Sequence, residues 1–326
     1  MLQPDAQAAW RLLSFNWILL GLMALALGLA MALTGFSIAP SSALLPFAIV
    51  ATYTGVGYYN AFRPHKRDPL VIFILASTGQ VLLIPLLMTP MTYIATSAGL
   101  PLQDANLAAI DRALGLDWQA YFDFVCSHHT LLSGLVLAYA MIGWPVFGIP
   151  VALGFARQYR RIQEFTLAFG LALIITTALA MLLPAIGTYD IATLTRSDAP
   201  FTSSAFLQHL HDFPSLRAGT LHHLDLMKLT GVISFPSFHA AAATLYLWAF
   251  WPVRWMRPIA VLANVSMLLA TPIGGGHYFI DVFAGMAVAV AAVVAARATT
   301  TWLLRPAERP ATHPTSVPDA APGSAR

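Results

Sequence analysis

The sequence predicts an all-α, polytopic membrane helix bundle with about eight transmembrane helices, or seven if the first is cleaved. Three observations predict it. Of 326 residues, 58% are hydrophobic and only 10% charged, against about 25% charged in a soluble domain. The mean hydropathy is +0.70. The apolar residues gather into runs about as long as the ~20 residues a spanning helix needs, with basic clusters between them.

The first run, 16–38, follows a short polar start that carries Asp5 and Arg11. Ala24, Ala26, Ala30 and Ala32 fit a signal-cleavage pattern, but the run exceeds the ~7–15 residues of a signal core, which favours an uncleaved anchor. The second run, 44–62, ends at the basic turn Arg63-Pro-His-Lys-Arg-Asp68. The third, 70–96, contains Pro85 and Pro90, which are expected to kink or end it. Residues 99–130 scatter Asp104, Asp111, Asp117 and Asp123 among Leu107, Ile110, Leu114, Trp118, Tyr121 and Phe122. That pattern predicts one or two interfacial helices broken at Gly115, read as an aromatic belt without chemistry. The fourth run, 131–155, leads into Arg157-Gln-Tyr-Arg-Arg161, and the fifth covers 165–187. The long polar stretch 188–234 is expected to hold further interfacial helix, with His209, His211, His222 and His223 at its surface. Tyr189 and Asp190 are candidates for a substrate entrance. The sixth to eighth runs cover about 236–252, 259–273 and 277–304. Beyond Arg305 the chain is rich in Pro, Ala and Thr and reads as a disordered tail, leaving one membrane domain, 1–304, with its chemistry in 215–285.

The basic residues are distributed unevenly. If eight helices alternate, Arg11, Arg63, Lys66, Arg67, Arg157, Arg160, Arg161, Arg254, Arg257, Arg305 and Arg309 share one side, against Arg112, Arg196, Arg217 and Lys228 on the other. The positive-inside rule then puts both termini in the cytoplasm, and His239 and His277 on the extracytoplasmic face of a plasma or inner membrane. The single cysteine, Cys126, excludes an internal disulfide and a cysteine-based zinc site. No basic run with interleaved aromatics suggests nucleic acid. His222-His223 is a weak metal candidate, read as solvated.

Two stretches carry chemistry: Phe235-Pro-Ser-Phe-His239 and Gly274-Gly-Gly-His-Tyr-Phe-Ile-Asp281. His277 and Asp281 stand four apart, which in a helix puts them on one face, one turn apart. A carboxylate there holds an imidazole in one tautomer and sharpens its free nitrogen as nucleophile or base. Gly274, Gly275 and Gly276 before a helix start suggest an inward-turned anion cradle, and Pro236 and Ser237 are expected to open the sixth helix.

Pro-Ser-Phe-His followed by Gly-His-x3-Asp resembles the second and third signature motifs of the type 2 phosphatidic acid phosphatase superfamily, which usually read Pro-Ser-Gly-His and Ser-Arg-x5-His-x3-Asp. The variant here is closer to the branch that includes inositol phosphorylceramide synthases. The resemblance implies that His277 attacks phosphorus, Asp281 orients it, His239 protonates the leaving oxygen and Ser237 helps bind the phosphate, with no metal or other cofactor. Three features depart from the pattern: Thr271 replaces the third-motif arginine, Phe238 replaces the glycine, and the Lys-x6-Arg-Pro motif is absent upstream. Arg217 and Lys228 are therefore nominated, with Gly275 and Gly276, to meet the phosphate charge. The expected reaction takes a lipid-linked phosphate and passes the group to water or to an alcohol such as inositol. Two other readings stand beside it: a proton-coupled transporter or lipid-binding protein using the His–Asp pair, and an inactive family member.

Overall fold

The computed structural model describes residues 4–63, 67–189 and 204–305. Asp190, Arg196, Lys66 and the tail beyond Arg305 lie outside the described residues. The chain is an all-α bundle. Its only extended pairing among the described residues is a two-residue parallel bridge, Ser37–Ile38 against His223–Leu224.

Every apolar run is helical. The helices are α1 (Pro4–Thr34), α2 (Pro40–Phe62), α3 (Pro69–Ser97), α4 (Asp104–Ala113), α5 (Trp118–Cys126), α6 (His129–Ala140), α7 (Trp144–Phe155), α8 (Tyr159–Leu182), α9 (Ser204–Arg217), α10 (Phe238–Phe250), α11 (Arg257–Gly274) and α12 (Phe279–Leu303). Among the described residues six segments are long and apolar enough to cross a membrane: α1, α3, α6 with α7, α8, α11 and α12. α2 is long but less apolar, and α10 is apolar but short. α3 runs on through Pro85 and Pro90 to Ser97, so the prolines do not end it. Residues 99–130 do form short helices, parted at Gly115, whose φ is +73°.

Outward leucines such as Leu22, Leu25, Leu29 and Leu33 on α1 and Leu262 on α11 are exposed. Water-facing surfaces rarely carry such a belt; lipid-facing ones do. Inside, polar side chains tie the spans together. Asn16 of α1 donates to Gln163 of α8 at 3.0 Å, and Gln163 donates to Ser77 of α3 at 2.6 Å. Gln80 of α3 donates to the Leu13 carbonyl at 2.9 Å. In an apolar medium helix association depends on such bonds and on close packing.

Close packing decides the α10–α12 contact. Gly285, Ala289, Ala292 and Ala296 recur every three to four residues and form one buried stripe, which at Gly285 meets Ala240 and Ala241 of α10. A Cβ on Gly285 would overlap the Ser237 carbonyl oxygen. Gly285→Ala should therefore force α12 off α10 and lower stability by about 1–3 kcal/mol. The matching change Gly21→Ala, with nothing within 4 Å, should be neutral or slightly stabilising. Melting temperatures of the two variants in detergent check this.

Candidate active site

α10 and α12 begin side by side, and their starts bring the two histidine stretches together. α10 starts at Phe238 with Ser237 as its cap, so Pro236 stands ahead of the helix and not in its first turn. The Ser237 N–H donates to the Asp281 carbonyl at 3.0 Å, locking one helix start to the other. α11 ends at Gly274 and α12 starts at Phe279, so His277 precedes the helix that carries Asp281. The pair still meets, but across a helix start and not along one helical face. His277 Nδ1 lies 3.3 Å from Asp281 Oδ2. That oxygen also accepts the Tyr278 N–H at 3.1 Å and the Ser234 hydroxyl at 3.3 Å.

With Nδ1–H turned to the carboxylate, His277 Nε2 carries the lone pair. Ser237 Oγ lies 3.3 Å from it. Ser237 is 0% exposed and also accepts the Ala240 N–H at 3.4 Å, so it orients the imidazole and caps α10 without facing the cavity.

The cavity in front of His277 measures about 240 Å³. His239, His277 and His209 line it, together with Thr89, Thr92, Tyr139, Thr230 and Ser234 and the apolar Pro85, Ile142, Leu173 and Phe238. His239 stacks on Tyr139 with ring centres 3.8 Å apart and planes 11° apart. Gly275 lines the cavity as well.

Sequence reasoning missed several residues here. His209 was expected at the surface; it is 7% exposed, and its Nε2 lies 3.0 Å from the Ile186 carbonyl. Its neighbour Asp212 accepts the Tyr93 hydroxyl at 2.9 Å, fixing α9 against α3. Burial pushes the His209 imidazole down to about 4. A histidine held neutral by burial stabilises the fold fully above its unfolded value near 6.5, and that stability is lost as pH falls from 6.5 toward 4. Wild type should lose roughly 3 kcal/mol more over that window than His209→Gln, whose amide keeps the donor to Ile186. Melting curves of both proteins across this range test the difference.

The supposed aromatic belt is the second miss. Asp111 of α4 is 3% exposed and caps α12, accepting the Phe279 N–H at 2.7 Å and the Ile280 N–H at 2.9 Å. Asp104 holds the turn next to His209, accepting the Gly187 N–H at 2.9 Å and the Ile186 N–H at 3.1 Å. Trp118 of α5 donates to the Pro272 carbonyl at 2.9 Å. Burial, with Asp104 and Asp281 nearby, pushes the Tyr278 hydroxyl well above its ordinary value.

Other nominated residues sit differently from expectation. Arg217 donates to the carbonyls of Leu100 at 2.9 Å and Gly99 at 3.3 Å, so its guanidinium braces a loop outside the cavity lining. Lys228 is exposed and pairs with Asp225 at 3.5 Å. The Gly275 N–H already donates to the Thr271 carbonyl, which leaves no open anion cradle at that amide. The glycines serve close approach instead: a Cβ on Gly274 would overlap Tyr139, and one on Gly275 would overlap either His277 or Tyr139. Gly276 has φ +62° and offers its carbonyl to the Thr188 N–H at 2.7 Å. Tyr189 is buried and donates to the Ile273 carbonyl at 2.7 Å. His222 packs on Phe36, and His223 Nδ1 lies 2.9 Å from Ser37 Oγ. Among the described residues no group of three His, Cys, Asp or Glu side chains gathers as a metal site requires.

A bundle of lipid-facing helices with six segments able to span a membrane is an integral membrane protein. Residues 105–295 match the PAP2 superfamily, and the chain belongs to it; that membership makes it a protein of the phosphatase or phosphotransferase type. No curated protein and no solved structure matches the chain.

Proposed function

We propose that this protein transfers the phosphate group of a membrane lipid through a phosphohistidine on His277. The observation that carries the reading is the convergence of His239 and His277 on one cavity, with Asp281 behind the second. His277 Nε2 attacks phosphorus; the P–N bond forms as the bond to the leaving oxygen breaks, and protonated His239 gives that oxygen its proton. An entering phosphate anion favours the protonated imidazole. In the second half His239 takes a proton from water or an alcohol, whose oxygen attacks phosphorus and frees His277. Water makes the enzyme a phosphatase; an alcohol acceptor such as inositol makes it a phosphotransferase.

Three further observations support this reading. The polar lining among the described residues is imidazole- and hydroxyl-bearing, side chains able to donate to phosphate oxygens. An apolar crevice of about 210 Å³ between α3 and Leu226–Leu229 shares Pro85 and Thr89 with the cavity, a fit for an acyl chain. The uneven spread of arginines favours cytoplasmic termini and an extracytoplasmic cavity.

Serine, imidazole and carboxylate in this order also serve serine hydrolases. Ser237, at 0% exposure and outside the cavity lining, is poorly placed to attack. The test is to incubate purified protein with labelled lipid phosphates, with and without inositol. Acid-labile, base-stable label on His277 supports the proposal. Proton-coupled uptake into vesicles without phosphate release would replace it with the transporter reading.

A further inference from the structure

A second cavity, of about 420 Å³, opens at the far ends of α10 and α12 from the histidines. Asp5, Arg160, Arg161, Glu164 and Arg297 bound it, and none of them takes part in the chemistry above. Three arginines face two carboxylates. Their placement is electrostatically unfavourable, because Arg160 and Arg161 stand in the first turn of α8, where the helix dipole repels cations.

The carboxylates do not neutralise this cluster. Asp5 is engaged by the Arg160 backbone N–H at 3.2 Å. Glu164 is divided between Arg160 at 3.1 Å and Arg161 at 3.8 Å. The Arg161 guanidinium lies 3.4 Å from the centre of the Trp248 ring and donates Nη2 to the Trp248 carbonyl. Its side chain is 11% exposed, yet Nε has no hydrogen-bond partner among the described residues. Arg297 flanks the same indole at 5.6 Å, and no carboxylate pairs with it among the described residues. The cavity thus combines surplus positive charge, a helix N-terminus and a buried guanidinium N–H without an acceptor.

We propose that this cavity binds the phosphate of an anionic membrane lipid headgroup, at the end of the molecule opposite the candidate active site. Guanidinium forks match phosphate oxygens in pairs, and basic pockets between spanning helices hold anionic headgroups. A lipid is favoured over a soluble anion by the wall beside the cavity. Val294 and Val290, one and two turns before Arg297 on α12, are 61% and 57% exposed and offer acyl chains an apolar track.

The test is the melting temperature of the full chain in detergent with phosphatidylglycerol, phosphatidylcholine or inorganic phosphate added. Phosphatidylglycerol should raise it by about 3 °C or more, and phosphatidylcholine should not. R160Q/R297Q should lose most of the shift, while R160K/R297K, which keeps the charge without the fork, should retain part of it. His277→Ala should keep the whole shift, separating this cavity from the candidate active site. An equal shift with phosphatidylcholine, an undiminished shift in R160Q/R297Q, or its loss in His277→Ala overturns the proposal. A shift of the same size with inorganic phosphate alone overturns the lipid assignment. Should R160Q/R297Q prove unfolded, counting lipids retained by R160K/R297K in native mass spectrometry decides: wild-type retention of phosphatidylglycerol and phosphatidylcholine alike rejects the site.

Discussion

Replacing His277 by alanine is expected to lower phosphoryl turnover by about 10⁴-fold or more while the protein stays inserted and folded. The expectation rests on what the substitution removes and what it leaves. It removes the one cavity-lining imidazole that is backed by a carboxylate. It leaves Asp281 Oδ2 with two donors, the Tyr278 N–H and the Ser234 hydroxyl, and leaves Oδ1 as it was, without a hydrogen-bond partner among the described residues. Asp281→Asn is the sharper companion. It preserves size, but an amide can offer an N–H to Nδ1 and pull the ring toward the other tautomer, which should cost about 10³–10⁴-fold. Release of phosphate or of new lipid product from a detergent-solubilised lipid phosphate measures both, with gel filtration as the check on folding. Wild-type rates in His277→Ala would end the phosphohistidine mechanism.

The second large effect is expected at His239, and its size should depend on the leaving group. A general acid contributes typically about 10²–10⁴-fold, and only where the departing oxygen needs a proton. His239→Gln should therefore slow hydrolysis of an alkyl lipid ester by about 10³-fold, yet slow p-nitrophenyl phosphate by less than about tenfold. Tyr139 stacks flat on the His239 ring and would hold glutamine in a similar place, so repacking does not confuse the comparison. A uniform loss across both substrates would mean that His239 only shapes the cavity.

The parts of this molecule that follow local rules were legible in the sequence. Runs of about 20 apolar residues became helices because an apolar medium leaves the backbone no other partner. His239, His277 and Asp281 stood out because polar groups at the ends of apolar runs need a reason. What failed depended on contacts between distant segments. Asp104 and Asp111 looked like surface charges on a short helix; their targets, Ile186 and Phe279, lie 82 and 168 residues away. His209 looked solvated because its neighbours are polar, and its burial comes from α3 and the 186–188 turn. Arg217 looked free for phosphate because nothing local claims it, whereas the carbonyls of Gly99 and Leu100 do. The glycine run suggested an open anion cradle, and instead lets Tyr139 and His277 come close to the backbone.

The two aspartates of α4 have a practical consequence. The stretch from Gly99 to Leu116 resembles an expendable excursion between spans, the kind commonly trimmed or replaced by a tag. Trimming it would withdraw both carboxylates from beneath the seat of His277, releasing the first turn of α12 and the Ile186–Gly187 turn together. A shortened protein of that kind should still insert into lipid and still display every signature residue, yet its imidazoles would be free to drift apart.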